Sequence, residues 1–223
     1  TLKNVKIDCN GDSVRVGKGV TLILGEGTEI ANGSPAITAG YSNAGTVVMK
    51  PGASITGSEL GVKVRSGLMF RMEGGSITGN YNDADFASGI TLENGTLAIS
   101  GDAQVTGNTI GAFDANGSSI PGTFNGNIYV APGAKVDLTQ LGSGAKIGLA
   151  FDPYRPDGQP TADAPIAVAL ISGQEVPAGV SLDNTDFPYA LQAGKKLDAG
   201  VLYLVDPNGT PSTTLRGNGT EAD

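Results

Sequence analysis

Lys63, Arg65 and Arg71 bring three cations close together in a chain that is otherwise acidic. In extended backbone, side chains two apart share a side. Lys63 and Arg65 therefore project together from one strand, and Arg71 from the next. A lysine or arginine beside calcium-holding acids can act as the base that opens an acidic sugar, which is polysaccharide lyase chemistry. The outward neighbours in the register derived below are Arg15, Thr38, Thr91 with Glu93, and Tyr129, with no carboxylate cluster among them. A solvated basic patch is the expectation.

Asp83 and Asp85 form a second grouping in NYNDADFASG, flanked by Tyr81 and Phe86. Carboxylates at this spacing suit calcium through hard oxygen ligands, or an acid/base pair in glycoside cleavage. The stretch lacks the downstream glutamate of a full calcium loop. Solvated loop acids are expected, with the aromatic neighbours offering a surface on which a sugar stacks. Asp152 and Asp157 in FDPYRPDG read the same way. A third grouping is Thr56, Thr78 and Thr106, each two residues after Ser54, Ser76 or Gln104. A flat threonine array can bind ice, but Ala31 and Gly148 interrupt this one at either end, so a structural ladder is expected. With no histidine in the chain, the usual Ser-His-Asp and Cys-His nucleophiles and the commonest zinc ligand are ruled out. The G-x-G runs sit between strands rather than before helices, so they carry no phosphate-binding reading.

A repeat must position these residues. VTLILGEGTEIANG (20–33), TVVMKPGASITGS (46–58), LMFRMEGGSITGN (68–80) and TLAISGDAQVTGN (96–108) each close on an isoleucine or valine. Those residues are Ile30, Ile55, Ile77 and Val105, in steps of 25, 22 and 28. A period in this range, with alternation inside each unit, marks a stacked solenoid, since one unit cannot bury its own apolar face. Each turn divides into three short strands. The first set is 13–16, 35–38, 61–65, 89–93 and 127–131; the second is 21–24, 46–49, 68–72, 96–100 and 135–138. The third is 28–30, 54–56, 76–78, 104–106 and 146–151. In three turns the inward pair precedes the closing residue by eight and six positions. Applied to LMFRMEGGSI, that rule would bury Arg71. Shortening the corner by one residue buries Phe70 and Met72 instead, and an unpaired buried arginine costs far more. Arg71 is expected outside.

Composition agrees with a column rather than a globule. Glycine is 35 of 223 residues, against a usual share of roughly 7%, and there is no tryptophan. A thin core of Val, Ile and Leu needs little aromatic volume, while glycine serves corners at positive φ. The net charge of −8 argues against nucleic acid, which needs a basic footprint, and against an anionic membrane surface. No run approaches the length of a membrane span, so no membrane insertion is expected. Cys9, the one cysteine, is a small core hydrophobe. No leader stands at residue 1, so a removed signal or a longer parent protein is expected, and the Pro/Gly/Thr-rich 206–223 reads as a linker. Asn-Gly pairs serve turns, five of them also matching N-x-S/T at Asn32, Asn94, Asn116, Asn208 and Asn218. Asn80 and Asn108, each in TGN after a closing strand, are expected to stack as an asparagine ladder. The stretch 107–126 overruns the period and must project or cover an edge. Beyond 150 the repeat is expected to stop, with 166–171, 189–192 and 201–205 supplying strands of a cap.

GLMFRMEGGSITGN followed by ASGITLENGTLAIS resembles the repeat of bacterial right-handed parallel β-helix surface proteins, the pectate-lyase-like adhesin group. The stretch 125–151 is similar to the final coil of such proteins. The expected architecture is all-β: a right-handed parallel β-helix of about five coils over 12–151, an N-terminal cap strand in 1–11, and a β-rich cap in 152–205. The resemblance implies a secreted or cell-surface module for adhesion or ligand display, non-catalytic, within a longer protein. Its partner would be a surface polysaccharide or a host or neighbour-cell protein. The alternative is a carbohydrate-active enzyme or an inactive relative. Tyr81, Asp83, Asp85, Phe86, Lys63, Arg65 and Arg71 are the candidate ligand-binding residues. No cofactor is expected, with calcium on the loop carboxylates Asp83 and Asp85 or Asp152 and Asp157 as the alternative.

Overall fold

A computed structural model describes residues 1–39, 45–65, 67–83, 87–113, 119–151, 165–183, 190–194 and 199–206, with backbone alone for 112, 113 and 119–123. Every element in these residues is a strand, so no helix among them is long and apolar enough to cross a membrane.

The strands stack as a right-handed parallel β-helix with three faces. Face one holds β2 (Val14–Val16), β5 (Ile37–Ala39), β8 (Val62–Val64), β12 (Ile90–Leu92) and β17 (Ile128–Val130). Face two holds β3 (Thr21–Leu24), β6 (Thr46–Met49), β9 (Met69–Met72), β13 (Thr96–Gly101), β18 (Val136–Leu141) and β20 (Ile166–Ile171). Face three holds β1 (Lys6–Asp8), β4 (Glu29–Ala31), β7 (Ser54–Thr56), β10 (Ser76–Thr78), β14 (Gln104–Val105), β19 (Lys146–Ala150) and β21 (Val180–Leu182). The three strand sets expected from alternation are thus the three faces.

Period-2 alternation decides what enters the column. Ile30, Ile55, Ile77, Val105 and Ile147 lie one above another on face three, all essentially without exposure. Leu24, Met49, Met72 and Ile99 do the same on face two. Phe70 and Met72 are fully buried while Met69 and Arg71 face out, so the corner before Ile77 is one residue shorter, as the cost of a buried arginine requires. At roughly 25 cal/mol per Å² of buried apolar surface, each stacked Ile or Leu contributes about 2–3 kcal/mol.

Three features depart from a plain five-coil column. Lys6–Asp8 pairs in parallel with β4, and Leu2 bridges Leu24, so the first residues lay part of another coil beneath it. β19 pairs with β14 at Ile147 and with β17 at Leu149, so one strand crosses from face three to face one where lower coils turn a corner. The repeat was expected to stop at 150, but parallel stacking continues through β20 on β18 and β21 on β19. Only afterwards does antiparallel pairing close that end. There β23 (Val201–Val205) joins β20, and β22 (Ala190–Ala193) joins β23.

The corner between faces three and one carries a buried polar ladder. Ser58 Oγ accepts the Gly33 N–H at 3.0 Å, and Asn80 Oδ1 accepts the Ser58 N–H at 3.0 Å. Asn80 donates from its side-chain amide to Asn108 Oδ1 at 2.8 Å, and Asn108 likewise to Asn127 Oδ1 at 2.9 Å. Asn127 then donates both its N–H and its amide to the two carboxylate oxygens of Asp183, at 2.8 and 3.0 Å. All five residues are buried. The expected Asn80–Asn108 pair is the middle of a longer series, in which each rung satisfies groups whose burial alone would cost about 1–3 kcal/mol. Gly148 passes beside it because a Cβ there would come within 2.1 Å of Asp183 Oδ1.

Candidate functional site

Two interruptions of the column come together immediately beyond this ladder. The chain leaves the column after Asn80 as β11 (Tyr81–Asn82), and again after Asn108 as the hairpin of β15 (Thr109–Phe113) and β16 (Ser119–Asn125). β11 pairs with β15 in parallel, through Tyr81 with Thr109 and Asn82 with Ile110; β15 pairs with β16 antiparallel. Tyr81–Asn82, Thr109–Phe113 and Ser119–Asn125 therefore form one three-stranded side sheet. Its base is rigid. Tyr81 N–H donates to Ser58 O, Thr109 N–H to Asn80 O and Gly126 N–H to Asn108 O, at 2.8, 3.0 and 2.9 Å. Gly126 has to be glycine for the hairpin to return, since a Cβ would lie 2.7 Å from Ile110 Cγ2.

Asn82, Ile110 and Phe124 line up on one side of this sheet, and Tyr81, Thr109 and Asn125 on the other. Phe124 is 42% exposed, an aromatic face open to solvent beside Ile110, with Asn82 one strand further along the row. Asp83 is exposed at the end of β11 and Tyr81 is half-buried. Asp85 and Phe86 lie outside the described residues, as do Asp152 and Asp157. Sequence reasoning missed Phe124. Its signal was one of two aromatics, with Phe113, in a Gly-, Ser-, Thr- and Asn-rich stretch that overruns the period.

The three cations do not converge. Lys63 lies on face one in the row Arg15, Thr38, Lys63, Thr91, Tyr129, the neighbours that the repeat predicts. Of the three cations Arg65 and Arg71 are exposed, whereas Lys63 is half-buried within this row. Thr38, Thr91 and Tyr129 are 1%, 8% and 9% exposed, so this outward row lies largely under cover, and Lys63 pairs with Glu93 at 3.0 Å. Arg65 is exposed at the following corner. Arg71 belongs to face two, where it reaches Glu73 at 3.5 Å; Glu73 also pairs with Lys50. Ser54 with Ser76 and Thr56 with Thr78 stack on face three as the repeat implies, whereas Thr106 falls beyond the end of β14.

Face two also carries a groove of about 360 Å³ across β9, β13 and β18. Arg71, Ala98 and Asp137 are consecutive partners across it. A register shift between Ala98 and Ser100 gives β18 an extra residue. Bulges of this kind re-aim side chains, and here Thr139 and Gln140, adjacent in sequence, are both exposed at the groove wall. Among the described residues no three carboxylate, thiol or imidazole groups converge as a metal site.

Comparison of the chain with protein-family models, curated proteins and solved structures gives no match.

Proposed function

We propose that this protein is a non-catalytic β-helix module that displays a ligand-binding surface at a cell surface or in secreted form, with a surface polysaccharide as its ligand. The joining of the two long interruptions into one side sheet on a rigid column carries this reading. Insertions from a regular column carry function more often than the column does. The side sheet presents exposed Phe124 on the same row as Asn82, with Ile110 between them, and exposed Asp83 follows Asn82, a combination suited to a sugar: stacking from the aromatic face, hydrogen bonds from amide and carboxylate. The resemblance of the repeat phrases to those of pectate-lyase-like adhesins is in keeping with this reading. Under this reading, Lys63, paired to Glu93 in a largely covered row, is structural.

A panel of polysaccharides, with and without calcium, tests the proposal when binding is followed together with release of reducing or unsaturated ends. Binding without cleavage is expected, and Phe124→Ala should weaken it at least tenfold while leaving thermal melting unchanged. Cleavage would replace this reading with that of a carbohydrate-active enzyme. Undiminished binding by Phe124→Ala would remove the side sheet from the account.

A further inference from the structure

The groove on face two is separate from the side sheet and has a polarity of its own. Arg71 and Asp137 stand either side of Ala98 along one row, two rungs or about 10 Å apart. At one end Lys50 and Arg71 share the single carboxylate of Glu73, which leaves a surplus positive charge. At the other, Asp137 pairs with no cation among the described ion pairs. Asp137 is held in place by Thr139, which donates to its Oδ1 from both N–H and Oγ1, at 3.0 and 2.7 Å. Between the charges lies only the methyl of Ala98, with the apolar stem of Met69, 40% exposed, at the margin. The bulge that turns Thr139 and Gln140 outward sits beside the acid.

We propose that this groove is a second ligand site and that it takes a zwitterionic saccharide unit, with its acid group on Arg71, its free ammonium on Asp137 and its ring over Ala98. A charge-assisted hydrogen bond at each end is stronger than a neutral one. A purely anionic chain would meet Asp137 and a molecule of net charge −8; a purely cationic one would meet Arg71 and Lys50. A floor of one methyl leaves room for a ring that a larger side chain would exclude.

Calorimetric titration of the whole chain with three oligosaccharides decides the matter: carboxymethyl-chitosan, which carries both charges, its fully N-acetylated counterpart, which keeps only the acid, and unmodified chitosan, which keeps only the ammonium. The zwitterionic probe should bind at least tenfold more tightly than either of the others, and more weakly as salt rises. Asp137→Asn should erase the preference for a free ammonium over an N-acetyl group, and Arg71→Gln the preference for the carboxymethylated over the plain chain. Ala98→Leu should block all three. Equal affinity for the three probes, no binding of any, or unaltered preferences in the two charge variants would each overturn the proposal.

Discussion

Asp183 is a buried carboxylate that closes a series of amides, with no cation beside it among the described residues. Among the described residues, β17, β19 and β21 around it carry one charged side chain, Lys146, which is exposed at the start of β19. Burial raises the Asp183 pKa above the ordinary carboxylate value, and the two hydrogen bonds from Asn127 offset only part of that effect. A raised folded-state pKa means that the native protein holds its proton more tightly than the unfolded chain does. The stabilisation from this group is complete below the unfolded pKa and is lost as pH rises through the folded one. Asp183→Asn removes the titration but keeps an acceptor for Asn127. The difference in melting temperature between variant and wild type should therefore shift in favour of the variant as pH rises from about 4 to 7. A difference that stays constant with pH would show that Asp183 does not titrate in this range.

Among the elements, β9 tests the register most sharply, because one residue of slip exchanges its inner and outer sides. Arg71 lies outside with only a long, exposed ion pair to Glu73, and such pairs contribute about 0–1 kcal/mol. Arg71→Ala should leave melting nearly unchanged, and a loss of many degrees would contradict the observed side-chain placement. Ile77 sits between Ile55 and Val105 with no exposure. Ile77→Asp would place a carboxylate in the column without a partner, at a cost of several kcal/mol, and should give an unfolded or aggregated chain by circular dichroism and light scattering. Ile77→Val, which removes one methylene, should fold with a loss of about 1 kcal/mol. These strands were legible in the sequence because alternation and a period of 22–28 residues act over short range. The side sheet was legible only as two loops: nothing local in Tyr81–Asn82 or Thr109–Phe113 states that they pair, since their meeting depends on Asn80 and Asn108 being stacked beneath them.

At the scale of the whole molecule, the end nearest the C-terminus is closed by antiparallel strands, and that closure guards an edge. Leu202 and Leu204 of β23 are fully buried, and the strand covers the open side of β20. A chain truncated after residue 183 would expose that edge and the core above Ile171, and unpaired parallel edges recruit other chains. It should form oligomers or aggregates by light scattering, whereas a monodisperse, fully folded truncation would show that the closing strands are dispensable. What the sequence by itself determined was the column: its three faces, the inward residues, the Asn80–Asn108 contact and the exposure of Arg71. Each follows from alternation, from period and from the cost of burying charge, which are properties of neighbouring residues. The tertiary structure alone decided how interrupted segments meet. Asn127 and Asp183 extend the ladder at spacings of 19 and 56 residues, outside any repeat, because an excursion from a column returns wherever the stack has an open rung. Arg71 and Asp137 share one row for the same reason: the distance between them is set by the number of rungs, whatever the length of chain that joins them.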